Sequence, residues 1–279
     1  MIQLIQMLGL PFLICMMMGA ILGYCGIHVL KREVIFIDIA LAQIAAVGSI
    51  VAHLAFDAEE GTLLAYIFSF ACVLAIAAFY ALVRSRIFQI SIEAVIGISY
   101  AIAAASALFL IGVAPGHTHM EEMLSGSLLW TGLPEITGSF IAFCAAGFCF
   151  YIFRKPLLRI SEDYNDAFSR GMKVVLWDFL FYALVGFVIV VAVRIAGVVV
   201  VFAFLIIPAT TSALFSSRWG TRMLVAWSVA VIASIGGLLF GYYLDFSFGP
   251  AIALFLGGEL TIAALFSKLC KIRLLNIIV

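Results

Sequence analysis

Apolar stretches long enough to cross a bilayer as helices, about 20 residues each, recur nine times along this chain, and the charged residues fall almost entirely in the gaps between them. A chain immersed in hydrocarbon must satisfy each peptide N–H and C=O internally, which leaves helices or a closed barrel. The runs are too long and too continuously apolar for the alternating pattern of barrel strands. They predict an all-α, polytopic membrane protein. Composition agrees: 66% of residues are hydrophobic and 11% charged, against about 25% charged in soluble domains. The spans read as Met7–Leu30, Glu33–Phe56, Thr62–Val83, Ile92–Val113, Glu135–Phe153, Val174–Val193, Ile195–Ser216, Met223–Leu244 and Gly249–Ser267. The first lacks a basic leader and a small-residue cleavage site, so it reads as a retained span. So little chain lies outside the spans that residues 1–279 read as a single transmembrane domain.

The charges supply a topology. Lys31, Arg32, Arg84, Arg86, Arg154, Lys155, Arg159, Arg170, Lys173, Arg218, Arg222, Lys268, Lys271 and Arg273 all fall on one side, 14 of the 15 basic residues. Asp57, Glu59, Glu60, Glu121, Glu122, Glu135 and Asp245 fall on the other, with Arg194 the lone cation there. Basic residues stay cytoplasmic, so the N-terminus is expected outside and the C-terminus inside. Two crossings are needed between Lys173 and Arg218. Arg194 then sits at their outer turn or inside a re-entrant break. The net charge is zero, and nothing in the chain suggests a nucleic-acid partner.

Val193–Ser217 reads VRIAGVVVVFAFLIIPATTSALFSS. Pro208 has no N–H to offer Phe204, so the helix is expected to kink or loosen there. Thr210, Thr211 and Ser212 could re-satisfy the freed carbonyl. The stretch is either an ordinary kinked span or a helix lining a moving path, with Arg194, Gly197 and Pro208 as the candidate gating residues.

Asp38, Glu93, Asp178 and Glu259 lie within spans, where a charge at the bilayer centre costs about 2.5–3.5 kcal/mol on insertion scales. Such groups face a cavity, find a partner, or snorkel. Asp38, Gln43 and His53 put polar groups on the second span, and with Glu93 they are candidate transient ligands for a divalent cation. Interhelical hydrogen bonding would account for the same residues. Asp38 and Gln43 are offset by roughly 140° around a helix, so they do not share one narrow face. In the outer loop His117, His119 and Glu121 have the donor types of a zinc site, although short loops also carry such residues by chance. The six cysteines form no CxxC and all fall in apolar stretches, as buried hydrophobes do.

Residues 155–173 form the longest polar connection, with Ser161 placed to cap a helix running to Arg170 and Gly171 to end it. A short exposed helix there suits docking to a soluble partner, and a plain surface loop is the simpler alternative. There is no GxxxxGK[ST] phosphate loop, so any ATP hydrolysis belongs to another polypeptide. HExxH is also absent, and His28 and His53 have no acidic partner at ligand spacing, which argues against an intramembrane enzyme. A scaffold subunit with no path of its own fits the polar spans poorly.

RIAGVVVVFAFLIIPATTSALF, HVLKREVIFIDIALAQIAAVG, EAVIGI, MLSGSLLW, DAFSRGM and YYLDFSFGPAIAL occur in order along the chain. In sequence and spacing they resemble the permease subunits of the bacterial zinc/manganese ABC importers, the ABC-3 family. The resemblance implies a non-enzymatic permease working as a homodimer, with two ATP-binding subunits and an extracytoplasmic metal-binding protein. It implies alternating access to a transported divalent ion, zinc first and then manganese or iron, with no permanently bound cofactor. It also implies a coupling helix seated on the ATPase, carried by Glu162, Asp163, Asp166, Ala167 and Gly171. One departure stands out. The family reads D-A-[LI]-S-H-A-x-L-P-G in the second span, whereas Ile39–Gly48 here is IALAQIAAVG. Gln43 takes the histidine position, Ile39 the aspartate position and Val47 the proline position. Asp38 lies one residue earlier, turned about 100° away. A larger cargo, such as a siderophore, haem or vitamin, is the alternative that this change leaves open.

Overall fold

The computed structural model describes residues 2–58, 62–86, 90–113, 128 and 131–278. Among these the chain forms eleven α-helices and no strand: α1 (Ile2–Lys31), α2 (Ile37–Phe56), α3 (Leu63–Arg86), α4 (Ile92–Val113), α5 (Leu133–Ile152), α6 (Arg154–Glu162), α7 (Tyr164–Ser169), α8 (Val174–Ala196), α9 (Val198–Phe215), α10 (Trp219–Leu244) and α11 (Phe248–Ile278). Nine of the described helices, all but α6 and α7, are long and apolar enough to cross a membrane. The all-α, nine-span expectation therefore holds.

The boundaries differ from the sequence reading where the backbone has a local reason. Glu33 adopts φ +56°, a left-handed conformation that cannot start a helix, so α2 begins at Ile37 rather than at Glu33. α10 begins at Trp219, which brings Arg222 inside a helix instead of in a loop. Between Lys173 and Arg218 lie two helices of 23 and 18 residues, separated by Gly197 alone. Gly197 has φ +80° and ψ 160°, a conformation open to glycine and closed to nearly every other residue. Even the shorter helix is about 27 Å long, enough to cross hydrocarbon. Arg194 sits in the last turn of α8.

The chain divides into two compact units. One contains α1 to Leu30, the first half of α5, and α9, α10 and α11. There α9, α10 and α11 pack on one another, and α1 lies against α9 and α10 along Gly19, Gly23 and Gly26. A methyl group on Gly19 would come 2.8 Å from Ala230 Cβ, and one on Gly26 would overlap the carbonyl oxygen of Leu205. Trp227 Nε1 donates to the Ala20 carbonyl at 3.1 Å, tying α10 to the same stripe. Lipid is as apolar as leucine, so helices in a bilayer hold together by such close approach. α9 runs unbroken through Pro208. Thr211 Oγ1 donates to the Ile207 carbonyl at 2.9 Å and Ser212 Oγ to Ala209 at 2.6 Å. These hydroxyls thus serve carbonyls beside the proline, not that of Phe204.

The other unit holds Lys31 and Arg32, α2, α3, α4, the second half of α5, α6, α7 and α8 to Arg194. α2 packs on α3 and α4, and a methyl on Gly48 would come 2.7 Å from Ser69 Cα. α8 meets α3 where Gly186 leaves room for Val73. Phe150 of α5 stacks edge-on against Phe181 of α8, with centroids 6.3 Å apart. Cys15 and Cys25 are buried as expected, but Cys72 and Cys149 are only partly so and Cys144 is exposed.

Gly26→Leu is expected to lower the stability of the detergent-solubilised protein by about 1–3 kcal/mol, because the obstacle is backbone. Gly9→Leu, where nothing lies within 4 Å, should leave the thermal midpoint unchanged.

Candidate functional site

The polar connection expected to form one helix capped by Ser161 forms two. α6 ends where Asp163 turns extended at φ −150° and ψ 105°, and Asp163 then caps α7. Its Oδ1 accepts from the Asp166 amide at 2.9 Å, the geometry that satisfies an otherwise open N–H in the first turn. Ser161 cannot act as the cap because its hydroxyl is buried and engaged elsewhere. Gly171, at φ +75°, closes the segment. Ala167 is fully buried against Ile160 and Val174, with Tyr164, Met172 and Trp177 around them. Glu162 and Asp163 stay exposed, Asp166 pairs with Arg170 at 2.8 Å, and Phe168 is 59% exposed. The segment is a small folded ledge: an apolar underside fixed on its own unit, and an outer face with one aromatic among charges.

Beneath the ledge lies a buried charge cluster. Arg32 is 2% exposed. Its Nη1 donates to Asp178 Oδ1 at 2.5 Å, its Nε to Ser161 Oγ at 2.8 Å and its Nη2 to the Leu157 carbonyl at 3.3 Å. The guanidinium lies 4.0 Å above the Phe181 ring. The Ser161 hydroxyl in turn donates to the Leu157 carbonyl at 2.9 Å. Arg84, at the end of α3, places Nη1 3.6 Å from the same Asp178 oxygen. It donates to Tyr182 Oη at 3.3 Å and stacks 4.6 Å above Tyr164 of α7. Burial draws Arg32 below the ordinary guanidinium range and Asp178 draws it back up. Burial, then Asp178, pushes the Tyr164 hydroxyl upward. Sequence reasoning marked Asp178 as needing a partner but treated Arg32 and Arg84 as topology markers. The available signal was depth: Asp178 lies one turn into its span, level with two arginines that end theirs.

The candidate path residues are not brought together. Asp38 is 1% exposed, in the first turn of α2, and neither carboxylate oxygen has a hydrogen-bond partner. Gln43 is half-buried on the same helix, about 7.5 Å further along its axis. His53 lies about 22 Å from Asp38 along that axis and serves the other end of α2, with Nδ1 3.1 Å from the Ala58 carbonyl. Glu93 is in the first turn of α4, where a carboxylate complements the helix dipole. Among the described residues no three His, Cys, Asp or Glu side chains are grouped to hold a metal. His117, His119 and Glu121 lie outside the described residues.

Of the gating candidates, Arg194 stacks 3.7 Å above the Tyr66 ring. Gly197 and Pro208 are respectively the break before α9 and a buried residue within it. Arg222 went unrecognised in the sequence. It is 6% exposed and reaches the Ala209 carbonyl and Ser212 Oγ, both at 3.4 Å. A cation near the last turns of a helix is favoured by the dipole.

Nine candidate spans among the described residues, with one short, folded polar ledge, define a multi-span membrane protein. The chain belongs to the ABC 3 transport family, whose model matches residues 5–268. It is 31% identical over 169 residues to the manganese import system permease protein ScaB of Streptococcus parasanguinis, covering 58% of each chain. It is 24% identical over 214 residues to a Haemophilus influenzae protein named a probable iron transport system membrane protein, covering 74% of each. Its fold matches a chain of PsaBC from Streptococcus pneumoniae, solved in complex with Fab, with a TM-score of 0.77 at 23% identity, over 94% of this chain and 93% of that one. The chain is a multi-pass protein of the bacterial inner membrane, in a transport family.

Removing the Asp163 cap by Asp163→Ala should cost α7 about 1 kcal/mol, so that its amides exchange about five-fold faster. Hydrogen-exchange mass spectrometry over residues 164–169 measures this.

Proposed function

We propose that this chain is the membrane-spanning subunit of an ATP-driven importer of a divalent transition metal. The observation that carries the reading is the family match over residues 5–268. Manganese and iron come first among the ions, from the names of the relatives. Zinc, expected first from the outer histidines, belongs to the same chemical class. The ion is cargo and not a resident cofactor. The working unit is two copies of this chain, two ATP-binding subunits and an extracytoplasmic metal-binding protein. Residues 1–279 act as one permease domain, N-terminus outside and C-terminus inside. Residues 155–173 dock on the ATPase, with Phe168 as the apolar knob and Glu162, Asp163, Asp166 and Gly171 around it. Closure of the ATPases opens the path alternately to each side, and Arg194, Gly197 and Pro208 lie in the moving part.

Asp38 supports the path reading because a buried carboxylate without a charged partner is costly. A passing cation relieves that cost briefly. Gln43 adds a neutral amide oxygen, a hard ligand that suits manganese better than zinc. Weak, transient ligation serves a path, since tight binding would slow release.

Two outcomes test this reading in proteoliposomes holding the complete transporter. ATP-dependent manganese(II) or iron(II) uptake is expected, and Asp38→Asn should lower it about ten-fold, the loss of one 1.4 kcal/mol interaction. Phe168→Ala should reduce the ATPase retained on the purified permease while leaving the fold unchanged. An intact, ATP-hydrolysing complex that moves no divalent ion would favour the larger cargo.

A further inference from the structure

We propose that Asp178, gripped by Arg32 and Arg84, is the joint through which movement of the α6–α7 ledge reaches the spans. The proposal rests on the reading of 155–173 as the ATPase-docking segment. It adds positioning residues for coupling that lie outside that segment.

Five parts of one unit meet in this cluster, and two arginines from different parts converge on a single carboxylate oxygen. Arg32 comes from the link between α1 and α2, Arg84 from the end of α3 and Asp178 from the start of α8. The same two guanidinium groups hold the ledge: Arg32 through Ser161 Oγ and the Leu157 carbonyl of α6, and Arg84 through the Tyr164 ring of α7. Neither half of the ledge can shift without dragging a guanidinium, and neither guanidinium can shift without drawing on Asp178.

Chemistry makes this joint stiff. Side chains of Arg32 and Asp178 are both 0% exposed, so no water replaces a lost partner, and breaking a buried pair strands a charge. Bidirectional contacts fix the direction of pull as well as the distance, because a guanidinium offers its donors in a rigid plane. By contrast, the Asp166–Arg170 pair is exposed, 40% and 57% by side chain, and lies within the ledge itself. Water competes for it, and it links no second element. The apolar underside of Ile160, Ala167 and Val174 holds the ledge down but supplies no directional contact to α1–α2 or α3.

A merely structural cluster would change how much complex forms. A joint changes how much cargo moves per ATP. The complete transporter is reconstituted in liposomes, and manganese(II) uptake and ATP hydrolysis are read from the same sample. Asp178→Asn and Tyr164→Ala are each expected to lower manganese moved per ATP about five-fold or more, with the ATPase still bound. Asp178→Glu should recover part of the ratio. Tyr164 is half-buried, so that variant decides the matter should Asp178→Asn fail to assemble. A second readout needs no cargo. ATP binding should alter amide exchange across residues 174–182 in the wild type, and Tyr164→Ala should abolish that response. An unchanged ratio and an unchanged response, with ATPase protection of 161–171 intact, would overturn the joint alone. Absence of ATPase protection over 161–171 would overturn the docking reading and the joint with it.

Discussion

Hydrocarbon supplies neither a hydrogen-bond partner for a peptide group nor water for a charge, and most of what this chain does with its residues follows from those two absences. The first makes every crossing a helix. It also removes the force that assembles soluble helices, because burying leucine against leucine gains nothing over burying it in lipid. What remains is the dispersion energy of close contact. Gly26 and Gly237 in one unit, and Gly48 and Gly186 in the other, are among the places where that contact is closest. The second absence decides where ionised side chains can sit. Apart from Glu259, midway along α11, they gather at the ends of helices or in the Arg32, Arg84 and Asp178 cluster.

Buried charge also explains why α6 and α7 fold as a ledge. Nine and six residues are too few to be stable as free helices. Their order comes from outside their own sequence: from Arg32 on Ser161 and Leu157, from Arg84 on Tyr164, and from Val174 beneath Ala167. Asp163 contributes the local part, ending one helix and starting the next. The cap at Asp163 sets where the chain turns, and the guanidinium groups set where the turned chain rests.

The fold was largely legible because the bilayer imposes a one-dimensional code in which run length gives the crossings. Boundaries were less so. Glu33 looked like a helix start by composition, yet its left-handed backbone delays α2 to Ile37, and no residue type announces that in advance. Ser161 looked like a cap because serine caps helices, but its hydroxyl was already claimed by an arginine 129 residues away. A long-range contact of that kind leaves no trace in local spacing. The same holds for Arg222, which reads as one more positive-inside charge until Ala209 and Ser212 are seen beside it. The stripe of Asp38, Gln43, His53 and Glu93 was legible as residues and not as an arrangement, since His53 is committed to the far end of its helix.

Asp38 and Asp178 make the division of labour concrete. Both are aspartates in the first two turns of a spanning helix, and both are almost fully buried. Asp178 has two guanidinium groups on one oxygen; Asp38 has no partner on either. A carboxylate bound twice is poor at catching a passing cation, since any ion must first displace an arginine. A carboxylate bound to nothing is poor at transmitting force, since it holds nothing. On the reading proposed above, a transporter needs one of each: an anchored charge where the motor pulls, and an unanchored one where the cargo passes. Gln43 in place of an imidazole fits the second role. A neutral oxygen further along the same helix lowers the affinity of the path without closing it, and the tighter grip is left to the protein that delivers the ion.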